Sequence, residues 1–139
     1  MRLVVDASVA LAWALPDESS AYADAVLAVA ERDGLRVPEL WAREVANGIA
    51  VAYLRKLITS AHESAFLAAL SHLSIAVAEP ASAFTVVRDG TAAAMRYGLT
   101  AYDAAYLGLA SREKLTLATL DKAMRKAAEQ SGITIFRQA

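Results

Sequence analysis

Three aspartates occupy positions where α/β proteins commonly place groups that bind ligands. Asp6 directly follows the apolar run 3–5, and Asp121 comes just after the apolar run 115–119. Asp103 lies in the first turn of a predicted helix. Because ligands of an open parallel sheet bind beyond the carboxyl ends of its strands, these side chains are candidates for one shared site. The simpler alternative is that each aspartate only caps its helix, since Asp is favoured at that position.

A fourth acid, Glu44, lies within the predicted helix 39–56. The residues that share its face of the helical wheel are Leu40, Asn47, Val51 and Leu54. A lone carboxylate on an apolar face is costly unless something pairs with it, so Glu44 is a candidate functional acid. The alternatives are an ion pair with Arg43 or another base, or a rotated helix that exposes Glu44 to water. Asn47, one turn further on, could orient a carboxylate or a bound water.

Carboxylates that converge in this way are typical of a site for a hard cation. Four of them brought close would repel one another, and some would have to take up protons. A divalent ion removes the repulsion, because Mg²⁺ and Mn²⁺ prefer oxygen ligands and keep several waters. Such a centre could activate water and stabilise an in-line displacement at phosphorus.

The composition excludes several other kinds of site. The chain has no cysteine, which rules out a thiol nucleophile, a disulfide framework and cysteine-based zinc or iron–sulfur centres. The two histidines, His62 and His72, both lie on the predicted helix 61–72, apart from the four acids in the sequence. We therefore expect them to be surface or packing residues, since metal-assisted hydrolysis needs no histidine.

Short apolar runs alternate with alanine-rich segments, and these elements must position the acids. The strand candidates are residues 3–5, 115–119 and 133–135, with weaker ones at 35–37 and 74–77. The helix candidates are residues 20–32, 39–56, 61–72, 81–97, 102–114 and 122–130. Parallel strands need crossovers, and crossovers bring helices to both faces of a sheet. The alternation therefore predicts a single α/β domain over residues 1–139, with a parallel sheet covered by helices.

The charge balance and the hydropathy exclude further classes of protein. With 14 basic and 15 acidic residues, the formal net charge of −1 is not that of a basic coat protein or an acidic disordered tail. Nucleic acid would therefore have to bind a local basic patch. No apolar run approaches the ~18 residues of a membrane span, and the first residues lack the features of a secretory signal. We expect a cytoplasmic protein that does not contact a membrane.

Four short motifs occur in order along nearly the whole chain: LVVDAS at 3–8, EVAN at 44–47, LTAYDAAY at 99–106 and ATLD at 118–121. Together they resemble the motifs of PIN-domain ribonucleases, most closely the VapC-type toxins of toxin–antitoxin pairs. The third motif is the most specific, and any one motif alone would be a weak indication. The resemblance implies a compact three-layer α/β/α domain with a parallel sheet of about five strands.

The resemblance also implies an activity and partners. It implies a Mg²⁺- or Mn²⁺-dependent endoribonuclease, the toxin component of a type II toxin–antitoxin system, which forms a homodimer and is inhibited by a cognate antitoxin protein. The residues that would bind the metal and act in catalysis are Asp6, Glu44, Asp103 and, with a more variable role among members, Asp121. The residues that would hold these carboxylates and their waters in place are Ser8, Asn47, Thr100 and Thr119.

An RNA substrate would need basic side chains near the acids. The candidates are Arg43, Arg96, Lys122, Arg125 and Lys126. The alternative for each is ordinary solvated helix charge. Tyr102 and Tyr106 flank Asp103 and could stack on bases, although packing is the more common role of such tyrosines.

Two apolar segments, around residues 10–15 and 41–54, predict a groove for an antitoxin helix. Trp13 and Trp41 fall within these segments and are expected to be core or interface anchors. The placement of the groove follows mainly from the family resemblance.

Two other functions are compatible with parts of the pattern. One is a non-catalytic PIN-like scaffold that binds RNA or a protein partner, which the intact set of acids disfavours. The other is a phosphatase or a phospho-receiver domain. Phosphatases of the aspartyl-phosphate type need an acid two residues after the first, where this chain has Ser8, and receivers need adjacent acids, whereas Val5 precedes Asp6.

Overall fold

The computed structural model describes residues 1–79 and 81–138, which form a parallel sheet covered by helices. Its strands are β1 (Leu3–Val5), β2 (Leu35–Val37), β3 (Ile75–Val77) and β4 (Leu117–Ala118). Their order across the sheet is β3-β2-β1-β4, and every pair of neighbours is parallel. The predicted parallel α/β sheet is therefore confirmed.

The helices cover the sheet in a three-layer α/β/α arrangement. They are α1 (Ala7–Ala14), α2 (Ala21–Asp33), α3 (Leu40–Leu54), α4 (Ser60–Ser71), α5 (Ala83–Tyr97), α6 (Ala101–Glu113) and α7 (Lys122–Gln130). A short 3₁₀ turn, Pro16–Glu18, connects α1 to α2. The sequence did not predict helix α1, because its eight residues are too few to show a clear helical period.

The structure corrects the edge of the sheet beyond β4. Residues 133–135 were expected to form a fifth strand, but they contribute one isolated parallel bridge, between Leu117 and Ile135. The Leu117 amide donates to the carbonyl of Thr134 at 2.9 Å, and the Phe136 amide donates to that of Leu117 at 2.8 Å. Ile133 and Ile135 are buried, so their apolar pattern reflects packing on the domain and not a full strand.

The exposed face of α3 differs from the face expected from the helical wheel. The buried residues of this helix are Trp41, Val45, Ile49 and Ala52. Asn47 and Leu54, expected to point inward, are exposed, and Glu44 is half-buried at the border between the two faces. The prediction was wrong because apolar residues occur nearly all around this helix, so their spacing alone does not select a face.

Strand β1 is the centre of the core and the support of the site. All three of its residues are buried, as expected for a strand with neighbours on both sides and helices on both faces. Burying an aliphatic side chain of this size stabilises a fold by about 1.5–3 kcal/mol. The end of β1 is thus fixed firmly, and Asp6 follows it directly.

The strand order reverses direction at β1. The chain proceeds from β1 to β2 and β3 on one side, and then returns to place β4 on the other side. In open α/β sheets this reversal opens a crevice at the carboxyl ends of the two diverging strands. The segments that follow β1 and β4 contain Asp6 and Asp121, so the topology brings these acids to one edge.

Long apolar helices of the kind that cross a bilayer do not occur within residues 1–79 and 81–138.

Candidate active site

One open cleft at the carboxyl edge of the sheet is lined by all four acids selected from the sequence. Asp6, Glu44, Asp103 and Asp121 contribute to its wall from four separate parts of the chain. Ser8 and Asn47 also line it, together with Tyr106 of α6. Thr100 and Thr119 are not part of the wall, but their hydroxyl groups form hydrogen bonds with Asp103 and Asp6.

Asp6 is the most deeply placed of the acids, with 3% of its surface exposed. It precedes α1 and caps it, because its Oδ1 accepts a hydrogen bond from the Val9 amide at 3.2 Å. The Ser8 hydroxyl donates to the same oxygen at 2.6 Å, and the Thr119 hydroxyl donates to Oδ2 at 2.5 Å. Burial raises the pKa of Asp6 and the negative charge of Asp103 adds to the rise, while these three hydrogen bonds oppose it.

Asp121 is connected to Asp6 through Thr119. The Thr119 hydroxyl, which donates to Asp6, accepts a hydrogen bond from the Asp121 amide at 3.0 Å. The Asp121 side chain caps α7 by accepting from the Met124 amide at 2.9 Å. Asp121 is therefore both a helix cap and a wall of the cleft, so the two interpretations of the sequence are compatible.

Asp103 faces the cleft from the first turn of α6. Thr100 caps this helix, since its hydroxyl oxygen accepts from the Asp103 amide at 3.2 Å. Partial burial raises the pKa of the Asp103 carboxyl and the charge of Asp121 raises it further, against a hydrogen bond with the Thr100 side chain. Asp103 therefore lies close enough to Asp6 and Asp121 for the negative charges of these side chains to repel one another.

Glu44 reaches the cleft from α3 and pairs with Tyr106 of α6. The tyrosine hydroxyl donates to Oε1 of Glu44 at 2.5 Å. The alternative of an ion pair with Arg43 is wrong, because Arg43 contacts Glu39, one turn earlier, at 3.4 Å. Burial and the neighbouring Glu44 carboxylate raise the pKa of Tyr106, so its hydroxyl remains a donor. Asn47 lines the same wall, and its side chain forms no hydrogen bond with other described residues.

The chemistry of these donors fits a hard divalent cation. None of the four acids forms an ion pair with a basic side chain in the part of the chain that the structure describes. The cleft lining offers carboxylate, hydroxyl and amide oxygens without histidine or cysteine, which is the ligand set that Mg²⁺ and Mn²⁺ prefer. Burial is the main cause of the raised pKa of Asp6 and Asp103, and a cation bound here would neutralise the carboxylate repulsion that adds to it.

The four acids line the cleft, but their carboxylates do not meet at a single point. Over residues 1–79 and 81–138, no three histidine, aspartate or glutamate side chains are grouped so that they could hold a metal ion as they stand. Ion binding would therefore have to draw the carboxylates together.

The basic residues selected from the sequence have different surroundings. Lys122 and Lys126 are exposed on α7, the helix that Asp121 caps. Arg125 is half-buried: its Nε donates to the Thr119 carbonyl at 2.8 Å, and its guanidinium lies 4.6 Å from the ring centre of Tyr22. Arg96 is exposed and lies over its neighbour Tyr97. Lys122 and Lys126 form no hydrogen bond or ion pair with other described residues, so their ammonium groups are open to solvent.

The two tyrosines that flank Asp103 have opposite environments. Tyr102 is 67% exposed, whereas Tyr106 is 1% exposed, so of these two rings only that of Tyr102 is accessible from solvent. The sequence analysis missed the bond between Tyr106 and Glu44. A usable signal was present, because Tyr106 follows Asp103 by three positions and must therefore share its face of α6.

The histidines and tryptophans lie outside the cleft. His62 and Thr59 form a capping box at the start of α4, and His72 ends the same helix on the surface. Trp41 is buried, and Trp13 is half-buried with its indole N–H donating to the Ala23 carbonyl at 2.8 Å. None of these four residues lines the acidic cleft.

Comparison with known proteins identifies the family. The profile described as the PIN domain matches residues 3–130, so the chain belongs to the PIN-domain family. The chain is 37% identical over 122 residues to Ribonuclease VapC3 of Pyrobaculum aerophilum, an alignment that covers 88% of this chain and 91% of the relative. The crystal structure of PAE2754 from Pyrobaculum aerophilum superposes with a TM-score of 0.67 at 25% identity, covering 91% of this chain and 79% of that one.

Within the family, the similarity is to VapC-type ribonucleases, as the four sequence motifs predict. The PIN-like α/β/α fold is confirmed as well, with four strands where about five were expected.

Proposed function

We propose that the protein is a divalent-metal-dependent endoribonuclease, the toxin component of a type II toxin–antitoxin system. The observation that carries the proposal is the cleft in which Asp6, Glu44, Asp103 and Asp121 converge without a basic partner among the described residues. Membership of the PIN-domain family and similarity to a protein named Ribonuclease VapC3 support the choice of RNA as substrate.

Asp6, Glu44 and Asp103 are the proposed metal-binding residues, with Asp121 as the fourth acid. These residues would hold a Mg²⁺ or Mn²⁺ ion, which would lower the pKa of a bound water and would stabilise negative charge on the phosphate oxygens. Ser8 and Thr119 keep the Asp6 carboxylate in one orientation through their hydrogen bonds. A carboxylate of the cleft accepts the proton of the attacking water.

Lys122 and Lys126 are the proposed phosphate contacts for the RNA strand. Both are exposed on α7, which begins next to Asp121. Tyr102, exposed beside Asp103, is the proposed stacking platform for a base. Arg43 and Arg96 are exposed as well and could extend the basic surface, while the bonds of Arg125 favour a role in holding the end of β4.

A cognate antitoxin is the proposed protein partner, and the apolar cavity between α3 and α4 is its proposed site. The cavity has a volume of about 570 Å³ and is lined mainly by apolar side chains, among them Trp41, Ile49, Phe66 and Leu67. A second cavity of about 310 Å³ lies on the other side of α4 and includes Trp13 and Leu15. These cavities match the segments 41–54 and 10–15, where the sequence predicts a groove for an antitoxin helix.

A homodimer in the cytoplasm is the proposed state of the protein. Helix α5 supports an association of this kind, because none of its 15 residues is buried and it exposes Phe84, Val87 and Met95. Apolar side chains exposed along one helix are typical of an interface. Light scattering coupled to size-exclusion chromatography measures the mass directly, and a monomer at micromolar concentration would contradict this part of the proposal.

Purified, partner-free protein incubated with mixed RNA tests the activity. We expect cleavage with Mn²⁺ or Mg²⁺, loss of cleavage with a chelator, and loss of cleavage in the Asp103→Asn variant. Intact RNA under all conditions would contradict the proposal. The variant also serves as the control for contaminating nucleases, since their cleavage of RNA would persist in the preparation of the variant.

A non-catalytic scaffold that binds RNA or a protein is the second candidate. One observation favours it, namely that no three acids within the described ranges are grouped to hold an ion as they stand. This candidate predicts that the protein retains RNA in a filter-binding assay with Mn²⁺ present and releases it uncut.

A further inference from the structure

Glu44 is held differently from the other acids of the cleft. Asp6 and Asp121 are fixed by hydrogen bonds near the strand ends, from Ser8, Thr119 and backbone amides. Glu44 lies in the second turn of α3, and the Tyr106 hydroxyl is its hydrogen-bond partner at 2.5 Å. No other bond of the Glu44 side chain occurs among the described residues.

Tyr106 is placed so that its hydroxyl reaches the cleft while its ring remains in the core. The residue is 1% exposed, and yet it contributes to the wall that the acids share. It lies one turn after Asp103 on α6, and its partner lies on α3, 62 residues earlier in the chain. The bond therefore ties the acid of α3 to the helix that carries Asp103.

We propose that Tyr106 is a positioning residue that fixes the Glu44 carboxylate for cation binding. The inference rests on the proposed function, because it requires Glu44 to bind a divalent ion. A carboxylate has two oxygens, so Oε1 can accept from the tyrosine while Oε2 remains free for the ion or its waters. Groups that orient a ligand in this way typically change metal affinity or activity by about 10–100-fold when they are removed.

The Tyr106→Phe variant tests the proposal, because it removes the hydroxyl and keeps the ring that packs in the core. The measurement is the affinity of the full chain for Mn²⁺ alone, by electron paramagnetic resonance or isothermal titration calorimetry. We expect the dissociation constant to rise by about 10–100-fold, with the circular dichroism spectrum unchanged. An unchanged dissociation constant would overturn the proposal.

Tyr22→Phe is the matched control. The Tyr22 hydroxyl also donates a hydrogen bond, to the Phe136 carbonyl at 2.9 Å, but it bonds to none of the four acids. The control variant should bind Mn²⁺ as the wild type does. A comparable loss of affinity in both variants would show a general effect on the fold and would overturn the specific role of Tyr106.

A double-mutant cycle with Glu44→Ala separates positioning from packing. If Tyr106 acts through Glu44, Tyr106→Phe has no further effect on Mn²⁺ affinity once Glu44 is replaced by alanine. An equal loss in both backgrounds would overturn the proposal. Failure of the wild type to bind Mn²⁺ would refute the proposed function itself, which distinguishes the two outcomes.

Fluorine NMR provides a test that does not depend on the folding of Tyr106→Phe. With 3-fluorotyrosine incorporated at all five tyrosines of the chain, the Tyr106 signal can be assigned by replacing the other four. We expect this signal to shift when Mg²⁺ is added and to lose that response in Glu44→Ala. A Tyr106 signal that is insensitive to Mg²⁺ while the protein binds the ion would overturn the proposal.

Discussion

The Thr119 hydroxyl donates a hydrogen bond to Oδ2 of Asp6 at 2.5 Å, although 113 residues separate the two in the chain. Both follow neighbouring parallel strands, β1 and β4. The same hydroxyl accepts from the amide of Asp121 at 3.0 Å. The buried Thr119 side chain therefore sets the relative positions of two acids of the cleft, Asp6 and Asp121.

Thr119→Val should reduce both stability and activity. The variant leaves the Asp121 amide without its acceptor and the Asp6 carboxylate without one donor, and an unsatisfied buried group costs about 1–3 kcal/mol. Urea unfolding measures the change in the free energy of unfolding. Thr116→Val is the control, because the Thr116 side chain forms no hydrogen bond among the described residues. Equal stability of the two variants would contradict the role given to Thr119.

Asp103→Asn should abolish RNA cleavage while the fold survives. We expect the rate to fall by more than about 100-fold, because even groups that only support metal ligands contribute 10–100-fold. The metal-free protein should be as stable as the wild type or more stable, since burial and the charge of Asp121 disfavour the ionised carboxyl. Asp24→Asn, which changes an exposed acid in the first turn of α2, should leave the cleavage rate unchanged.

Glu44→Gln should leave the stability of the metal-free protein unchanged or raise it. The amide oxygen of glutamine can still accept from the Tyr106 hydroxyl, and the substitution removes a negative charge from the cleft. Thermal unfolding in the presence of a chelator measures this effect. A clear decrease in the melting temperature would show that the Glu44 carboxylate contributes a structural charge interaction.

Glu113→Gln should destabilise the protein at neutral pH and have little effect in acid. Arg36 of β2 forms two hydrogen bonds with Glu113 at the end of α6, both 2.9 Å, and lowers the pKa of that carboxyl. A lowered pKa in the folded state means that the stabilisation is complete above the unfolded pKa and is lost as the pH falls through the folded value. For a partly exposed pair we expect about 0.5–1 kcal/mol.

Unfolding experiments at pH 7 and at pH 3 test this pH dependence. Asp89→Asn is the control, because Asp89 pairs with its neighbour Arg88 on the exposed surface and connects no separate elements. The control should have no effect at either pH. A destabilisation by Glu113→Gln that is equal at the two values would contradict an ionic contribution.

Replacing Lys122 and Lys126 with alanine should weaken RNA binding and reduce its salt dependence. Each phosphate contact on single-stranded nucleic acid contributes about 0.7 to the slope of log affinity against log salt concentration. Filter binding of the Asp103→Asn protein, which cannot cleave, gives the slope with and without the lysines. Arg55→Ala is the control. Arg55 lies at the C-terminal end of α3, away from Glu44 in the sequence, and its replacement should leave the slope unchanged.

The local pattern of apolar and polar residues predicted most of the helices and strands. It failed where packing against other elements determines whether a segment pairs as a strand. The runs 3–5 and 35–37 coincide with β1 and β2. Short segments of β-branched or aliphatic residues favour the strand conformation. Residues 133–135 have the same composition, yet they make one bridge to Leu117. Whether an apolar run pairs fully or only packs depends on the space beside β4, which no local pattern contains.

The sequence alone determined which residues can form the acidic site. Asp6 and Asp121 follow apolar strands, Asp103 opens a helix, and the parallel topology requires strand ends of this kind to meet at one edge. These relationships depend on periodicity and chain direction, which are local properties, so the three aspartates could be selected before any coordinates. The family followed from the resemblance of the four motifs, which also include Glu44.

Only the tertiary structure decided how these acids are held. The hydrogen bonds from Thr119 to Asp6 and from Tyr106 to Glu44 join residues separated by 113 and 62 positions. The buried face of α3 likewise depends on which side packs against its neighbours, since the helix is apolar on nearly every side. Such contacts arise when whole elements are packed together, and hydrogen-bond geometry is sensitive to shifts of less than an ångström that sequence spacing does not specify.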